Sequence, residues 1–195
     1  MVILDLETTG LDPLKNQIIE IGALDFENPS NQFYQTCKID DTAEVDPAAL
    51  EINGYNYSNL TDTRKMSLKE LILNFKEWLE CIDDKTIAGQ NVDFDISFLN
   101  VSFNRYNINF ALGKRKIDLH SLTYSQFKVL GLNPPLKDGF SNLSGDRIME
   151  YVGLPKEPRP HDALNGVKYE AEAFSRLIYK QNLLKEFQDY KLSFL

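Results

Sequence analysis

The sequence predicts a mixed α/β sheet of five strands covered by helices on both faces. Three observations point to this class. An apolar run opens the chain, two more strand-like runs follow across short turns, and later strand-like runs alternate with segments of helical periodicity. The early runs make a three-strand meander, whereas a strand that feeds directly into a helix calls for a parallel neighbour.

The first strand is Met1-Val2-Ile3-Leu4-Asp5-Leu6-Glu7, closed by a turn at Gly10, Asp12 and Pro13. Residues 17–26 and 32–39 read as the second and third strands, separated by the turn formers Asn28, Pro29 and Ser30. Ser67 and Glu70 form a capping box ahead of Leu68, Leu71, Ile72, Phe75, Leu79 and Ile82, whose spacing marks one face of a long helix with Trp78 flanking it. Residues 85–89 give a short fourth strand, followed by a helix marked by Ile96, Leu99, Phe103 and Tyr106. A fifth strand is expected at 116–119, with helices around 122–130 and 143–152 and loops at 133–135 and 137–139 between them. The last strong helix runs from about Asp162 to Tyr179, with Ala163, Val167, Phe174, Leu177 and Ile178 inward; Leu183, Leu184, Phe187 and Tyr190 predict a further helix packed on the core.

Composition narrows the function. The chain has 195 residues, 43% hydrophobic and 26% charged, enough for one domain with a proper core. It lacks an apolar stretch of about 20 residues and a signal-like N-terminus, so a soluble, cytoplasmic protein is expected. Cys37 and Cys81 sit in apolar patterns without metal-ligand spacing and read as reduced core thiols. A net charge of −8 argues against gripping long nucleic acid through a basic surface, so any contact with a polyanion must be local.

Asp5 and Glu7 stand at i and i+2 of one strand, on one face and about 7 Å apart at Cα. Two neighbouring carboxylates repel, and a divalent cation with oxygen ligands resolves that repulsion. Solvated acids at a strand end are the plainer alternative. Asp95 opens a helix, where a first-turn acid or cap is the plainer role. His161 is one of two histidines and follows the stiff run Pro155-Lys156-Glu157-Pro158-Arg159-Pro160; near-neutral titration suits it to activate water.

Taken together, these segments resemble the DEDDh 3′-to-5′ exonucleases of the proofreading-subunit and ribonuclease T type, which have a ribonuclease-H-like fold. The likeness rests on Asp5-Leu6-Glu7-Thr8-Thr9-Gly10-Leu11, on Asn91-Val92-Asp93-Phe94-Asp95 with Phe98-Leu99, and on His161-Asp162-Ala163-Leu164, in that order across residues 1–180. It implies an exonuclease domain over 1–180 with residues 181–195 as a helical tail packed on it. It also implies two Mg2+ or Mn2+ ions held by Asp5, Glu7 and Asp95, with His161 as general base for release of 5′-mononucleotides from single-stranded DNA or RNA 3′ ends. Thr8, Thr9, Gly10 and Leu11 would line the cleft, with Asn53 and Tyr55 presented to the terminal base.

One position departs from the family pattern. Five residues beyond the histidine the family carries a fourth acid, and here that residue is Gly166, which also costs about 1 kcal/mol relative to alanine inside a helix. Asp162 and Asn165 lie nearby but neither occupies that position. The expectation is a weakly active or disabled enzyme, or a module that holds a 3′ end without cutting it. Basic clusters at Lys114-Arg115-Lys116 and Arg64-Lys65 read as solvated loops or as a phosphate track. The apolar end, Lys191-Leu192-Ser193-Phe194-Leu195, loosely resembles peptides that dock on sliding clamps and would imply a replication or repair partner.

Overall fold

The computed structural model describes residues 1–194. Five strands form one mixed sheet: β1 (Val2–Thr8), β2 (Ile18–Asp25), β3 (Gln32–Thr36), β4 (Ile87–Gly89) and β5 (Lys116–Asp118), in spatial order β3-β2-β1-β4-β5. The meander pairs antiparallel, and β4 and β5 add parallel to β1. Connection length explains the change of direction, because short turns return the chain antiparallel while helical crossovers restore the original direction.

Alternation along β1 divides the core. Val2, Leu4 and Leu6 face one apolar cluster with α3 (Leu68–Glu80) and α4 (Asp93–Arg105). Met1 and Ile3 face the other, built with α5 (Leu119–Val129), α6 (Gly145–Tyr151) and α7 (Ala163–Tyr179). Side chains two apart share a face, so Asp5 and Glu7 continue the row of Ile3 on the α7 side. The predicted capping box is present: Ser67 Oγ accepts from the Glu70 amide, and the Glu70 carboxylate accepts from the Ser67 amide.

Gly22 brings α7 to the strand ends. It is the register partner of Asp5, and a Cβ there would lie 2.1 Å from the Ala163 carbonyl oxygen. Only a residue without a side chain lets the start of α7 rest on β2 directly opposite Asp5. Two acids satisfy amides at that helix end: Asp162 accepts from Leu164 and Asn165, and Glu20 accepts from Ala163.

Several expectations are corrected. Residues 47–60, outside every predicted element, contain α1 (Pro47–Asn53) and α2 (Tyr57–Leu60). The signals were present: Asp46 caps α1, Pro47 occupies its first turn and Gly54 closes it in the left-handed region at φ 72°. Asp138-Gly139 turns a two-residue hairpin, β6 (Leu136–Lys137) with β7 (Phe140–Ser141). Ile178 is 41% exposed rather than inward, and Cys81 is an exposed thiol at the end of α3, while Cys37 is buried as expected.

The C-terminal tail is not the expected helix. Among the described residues it makes one 3-10 turn at Lys185–Phe187 and is otherwise irregular, held by the fully buried pair Glu172–Arg176 on α7. Arg176 donates to the carbonyls of Val152, Phe187, Tyr190 and Lys191, and Glu172 accepts from the amides of Leu183 and Leu184. Side chains thus supply the bonds that a helix would have supplied from its own backbone. Phe194 packs edge-on to Tyr151 at 6.0 Å, so clamp docking through this end would require peeling it away; Leu195, the last residue of that motif, lies outside the described residues.

Candidate active site

The four sequence-predicted catalytic side chains come from two elements and one loop. Asp5 and Glu7 are half-buried on β1. Asp95 is buried in the first turn of α4 and caps nothing. His161 precedes α7, fixed by a hydrogen bond from its amide to the Ile52 carbonyl at 3.1 Å. The run 155–160 that carries it packs close to α1, because a Cβ at Gly54 would stand 2.7 Å from Pro160.

Carboxylates dominate this region, and their environment is costly. Burial, then the charge of Glu157, pushes Asp5 up to about 8; burial, then the charge of Asp5, pushes Glu7 up to about 9. Asp95 rises well above the carboxylate range through burial and then Asp5. Among the described residues, no lysine or arginine forms an ion pair with Asp5, Glu7, Asp95 or Glu170.

Hard oxygen donors that repel one another without a basic partner are the donor set that suits Mg2+ or Mn2+. As they stand, the acids are gathered but not converged. Among the described residues no three such groups lie close enough to hold one ion, so ion binding would have to draw them together.

Two acids escaped the sequence reading. Glu170, one turn beyond Gly166, is buried at 8% exposure and accepts from the Gln90 amide at 3.1 Å. Burial, followed by the charges of Asp5 and Asp95, raises its pKa well above the carboxylate range. A signal existed: Gly166, Val167, Glu170, Ala171 and Phe174 form one buried stripe, and an acid within such a stripe requires a reason. The second is Glu157, pushed up to about 7 by burial, whose Oε2 lies 3.9 Å from His161 Nδ1. His161, Gly166, Glu157 and Glu170 line one cavity of about 590 Å3.

A second cavity, about 210 Å3, adjoins the strand end and is lined by Glu7, Thr8, Gly10, Leu11, Ala49, Ile52, Asn53 and Phe94, among others. Four expected substrate residues, Thr8, Gly10, Leu11 and Asn53, therefore meet there. The apolar wall contributed by α1 was not foreseen, since α1 itself was not. Asn53 ties that wall to the strand through a hydrogen bond to the Thr8 carbonyl at 3.2 Å.

Thr9 and Tyr55 are corrected. Thr9 is fully buried, donating to the Glu44 carbonyl and accepting from the Gln17 amide. Tyr55 donates its hydroxyl to Glu20 and lies under Lys65, so neither its tip nor that face is free to meet a base. Asp162, weighed as a nearby acid, is occupied as the α7 cap.

The exonuclease family (RNase_T) model matches residues 2–174, the span that contains all of these groups. The chain belongs to the DEDD-type 3′-to-5′ exonucleases. Among curated relatives of this exonuclease domain is the 3′-5′ DNA exonuclease Cap18 of Escherichia coli, 30% identical over 92% of this chain and 91% of that protein. DNA polymerase III PolC-type of Thermotoga maritima is 29% identical over 98% of this chain, which spans only 12% of its length. In solved structures the fold recurs in cell-death related nuclease 4, at TM-score 0.70 and 19% identity over 93% of this chain and 64% of that one. It recurs also in E. coli exonuclease I bound to a dA16 oligonucleotide, at TM-score 0.69 and 19% identity over 92% of this chain and 40% of that one.

Proposed function

We propose that this exonuclease removes 5′-mononucleotides from single-stranded 3′ ends, with Asp5, Glu7 and Asp95 holding divalent cations and His161 acting as general base. The observation that carries this reading is the set of carboxylates, Asp5, Glu7 and Asp95, that disfavour one another's charge, with Asp5 packed against Gly166, which shares a cavity with His161. When bound, Mg2+ or Mn2+ would supply charge neutralisation for the phosphodiester as it is displaced.

The protein's own groups do the rest. His161, held below the ordinary histidine range by burial and then by Arg159, is neutral near pH 7 and can accept a proton from water at a ring nitrogen. Glu157 faces its Nδ1 and, once ionised, would hold the ring and favour the resulting cation. The apolar cavity beside Glu7 offers Phe94, Ile52 and Leu11 to a terminal base, and Asn53 a polar edge. DNA is the favoured substrate, because Cap18 carries that specificity in its name and exonuclease I is seen with a deoxyoligonucleotide. The PolC-type relative supports a replication or repair setting.

Gly166 favours a second reading, a disabled domain that grips a 3′ end. Matched 3′-labelled DNA and RNA oligonucleotides, incubated with Mg2+, Mn2+ or chelator, separate the two. Metal-dependent release of mononucleotides, reduced roughly 10²–10⁴-fold by His161→Ala, supports the enzyme. Tight binding of the end without release in any metal supports the second reading.

A further inference from the structure

We infer that Glu170 supplies the fourth carboxylate of this metal site, displaced by one helical turn from the position that Gly166 leaves without a side chain. This inference rests on the proposed two-metal reading and concerns which residue completes it. Gly166 is more than a lost acid. A Cβ at that position would lie 2.0 Å from Asp5 Oδ2 and 2.9 Å from its Cγ, so the Asp5 carboxylate occupies the space where a side chain at 166 would begin. Asp5 is thereby packed directly against the α7 backbone. Restoring an aspartate at 166 would have to displace the central ligand of the site.

The next residue on that face is Glu170. Four residues advance a helix by about 6 Å and return nearly to the same side, and glutamate reaches one methylene further than aspartate. Its Oε2 is located by the junction that leads into α4: it accepts from the Gln90 amide, and a Cβ at Gly89 would stand 3.3 Å from it and 2.8 Å from the Leu4 carbonyl. Leu4 precedes Asp5, and the same junction delivers Asp95. Glu170 is therefore placed where β1, which carries Asp5, meets the turn from β4 into α4, which carries Asp95. Among the described residues its other oxygen makes no protein hydrogen bond, and the residue lines the cavity shared with Gly166 and His161. Glu172, two residues later, differs: one of its oxygens accepts from Arg176 and the other from the amides of Leu183 and Leu184.

The test is Mn2+ binding, followed by the electron paramagnetic resonance of the free ion and by calorimetry, on the full chain and its Glu170→Gln, Glu157→Gln and Gly166→Asp variants. Wild type is expected to bind Mn2+, and Glu170→Gln to lose one ion or weaken by at least about tenfold. Gly166→Asp should bind no more tightly than wild type. Circular dichroism establishes folding, and Glu170→Asp, which keeps the charge but shortens the reach, gives an intermediate loss should the glutamine variant fold poorly. Wild-type affinity in Glu170→Gln, loss confined to Glu157→Gln, or tighter binding in Gly166→Asp overturns the assignment while leaving the metal nuclease intact. Absence of both Mn2+ binding and nucleotide release in wild type overturns the proposed function, and this assignment with it.

Discussion

Glu170 and Glu172 sit two residues apart on α7, both buried, and their surroundings are opposite. Glu172 has an arginine at 2.8 Å and two backbone amides, so its charge is fully matched. Glu170 has one amide, and the nearby charges are the carboxylates of Asp5 and Asp95. Helix geometry turns the two about 200° apart, one toward the tail and one toward the strand ends. A buried acid that is satisfied holds a fold together. A buried acid that is left among other acids has a use for a cation.

The largest expected effect breaks the satisfied side. Arg176→Ala should cost about 3–5 kcal/mol, measured by urea unfolding, because it leaves Glu172 buried and uncompensated and frees the carbonyls of the tail. Glu170→Gln should leave metal-free stability unchanged or slightly raised near neutral pH, since burial, then Asp5 and Asp95, already disfavour its charge and glutamine has nearly the shape of the neutral acid. An equal loss from both changes would erase the distinction.

Divalent cation sharpens the other side. At a hundredfold excess over its dissociation constant, Mn2+ should stabilise the folded chain by about 2.7 kcal/mol, seen as a rise in melting temperature. Arg176→Lys should retain that increment on a lower baseline, and Asp5→Asn should abolish it.

A smaller effect concerns pH. Burial and then Arg159 disfavour the His161 cation, Asp146 opposes them, and Glu157, itself raised to about 7, adds an anion only at higher pH. A lowered pKa means the ring stays neutral to more acid conditions. At saturating metal, the acid limb of kcat should therefore fall below the ordinary histidine value of about 6.5, and Arg159→Gln should move it upward.

The smallest effect is expected at the basic loop. Lys116 pairs with Asp93, and Arg64 with Asp62, while Lys114 and Arg115 are exposed. If these two track phosphates, the Lys114→Ala/Arg115→Ala variant should lower the salt slope of single-strand binding by about 1.4. An unchanged slope assigns them to solvent.

Most of the architecture was legible because its signals are local. Alternation along Val2–Leu6, the Ser67–Glu70 capping box and the strand-to-helix joins each lie within a few residues. The helix α1 was legible in principle through Asp46, Pro47 and Gly54, but its seven residues are too short for periodicity to stand out. The tail misled because Leu183, Leu184, Phe187 and Tyr190 imitate a helical stripe, while the bonds that order it come from Arg176 and Glu172 on another element.

At the proposed site, Asp5, Glu7, Asp95 and His161 stand out in the sequence because each belongs to a short motif. Gly166 could be seen as a departure. Its meaning could not, since the space it leaves is taken by Asp5 from a strand 161 positions earlier. Tyr55 and Thr9 were likewise assigned to the cleft by position, and only their partners Glu20, Glu44 and Gln17 turn them inward.

The sequence by itself determined the strand and helix pattern, the family, and the acids and histidine of its motifs, because periodicity and short spacing survive in one dimension. Only the tertiary structure decided which buried glutamate is matched and which is not. Burial and the company of distant charges depend on how strands and helices meet, and no stretch of chain carries that information alone.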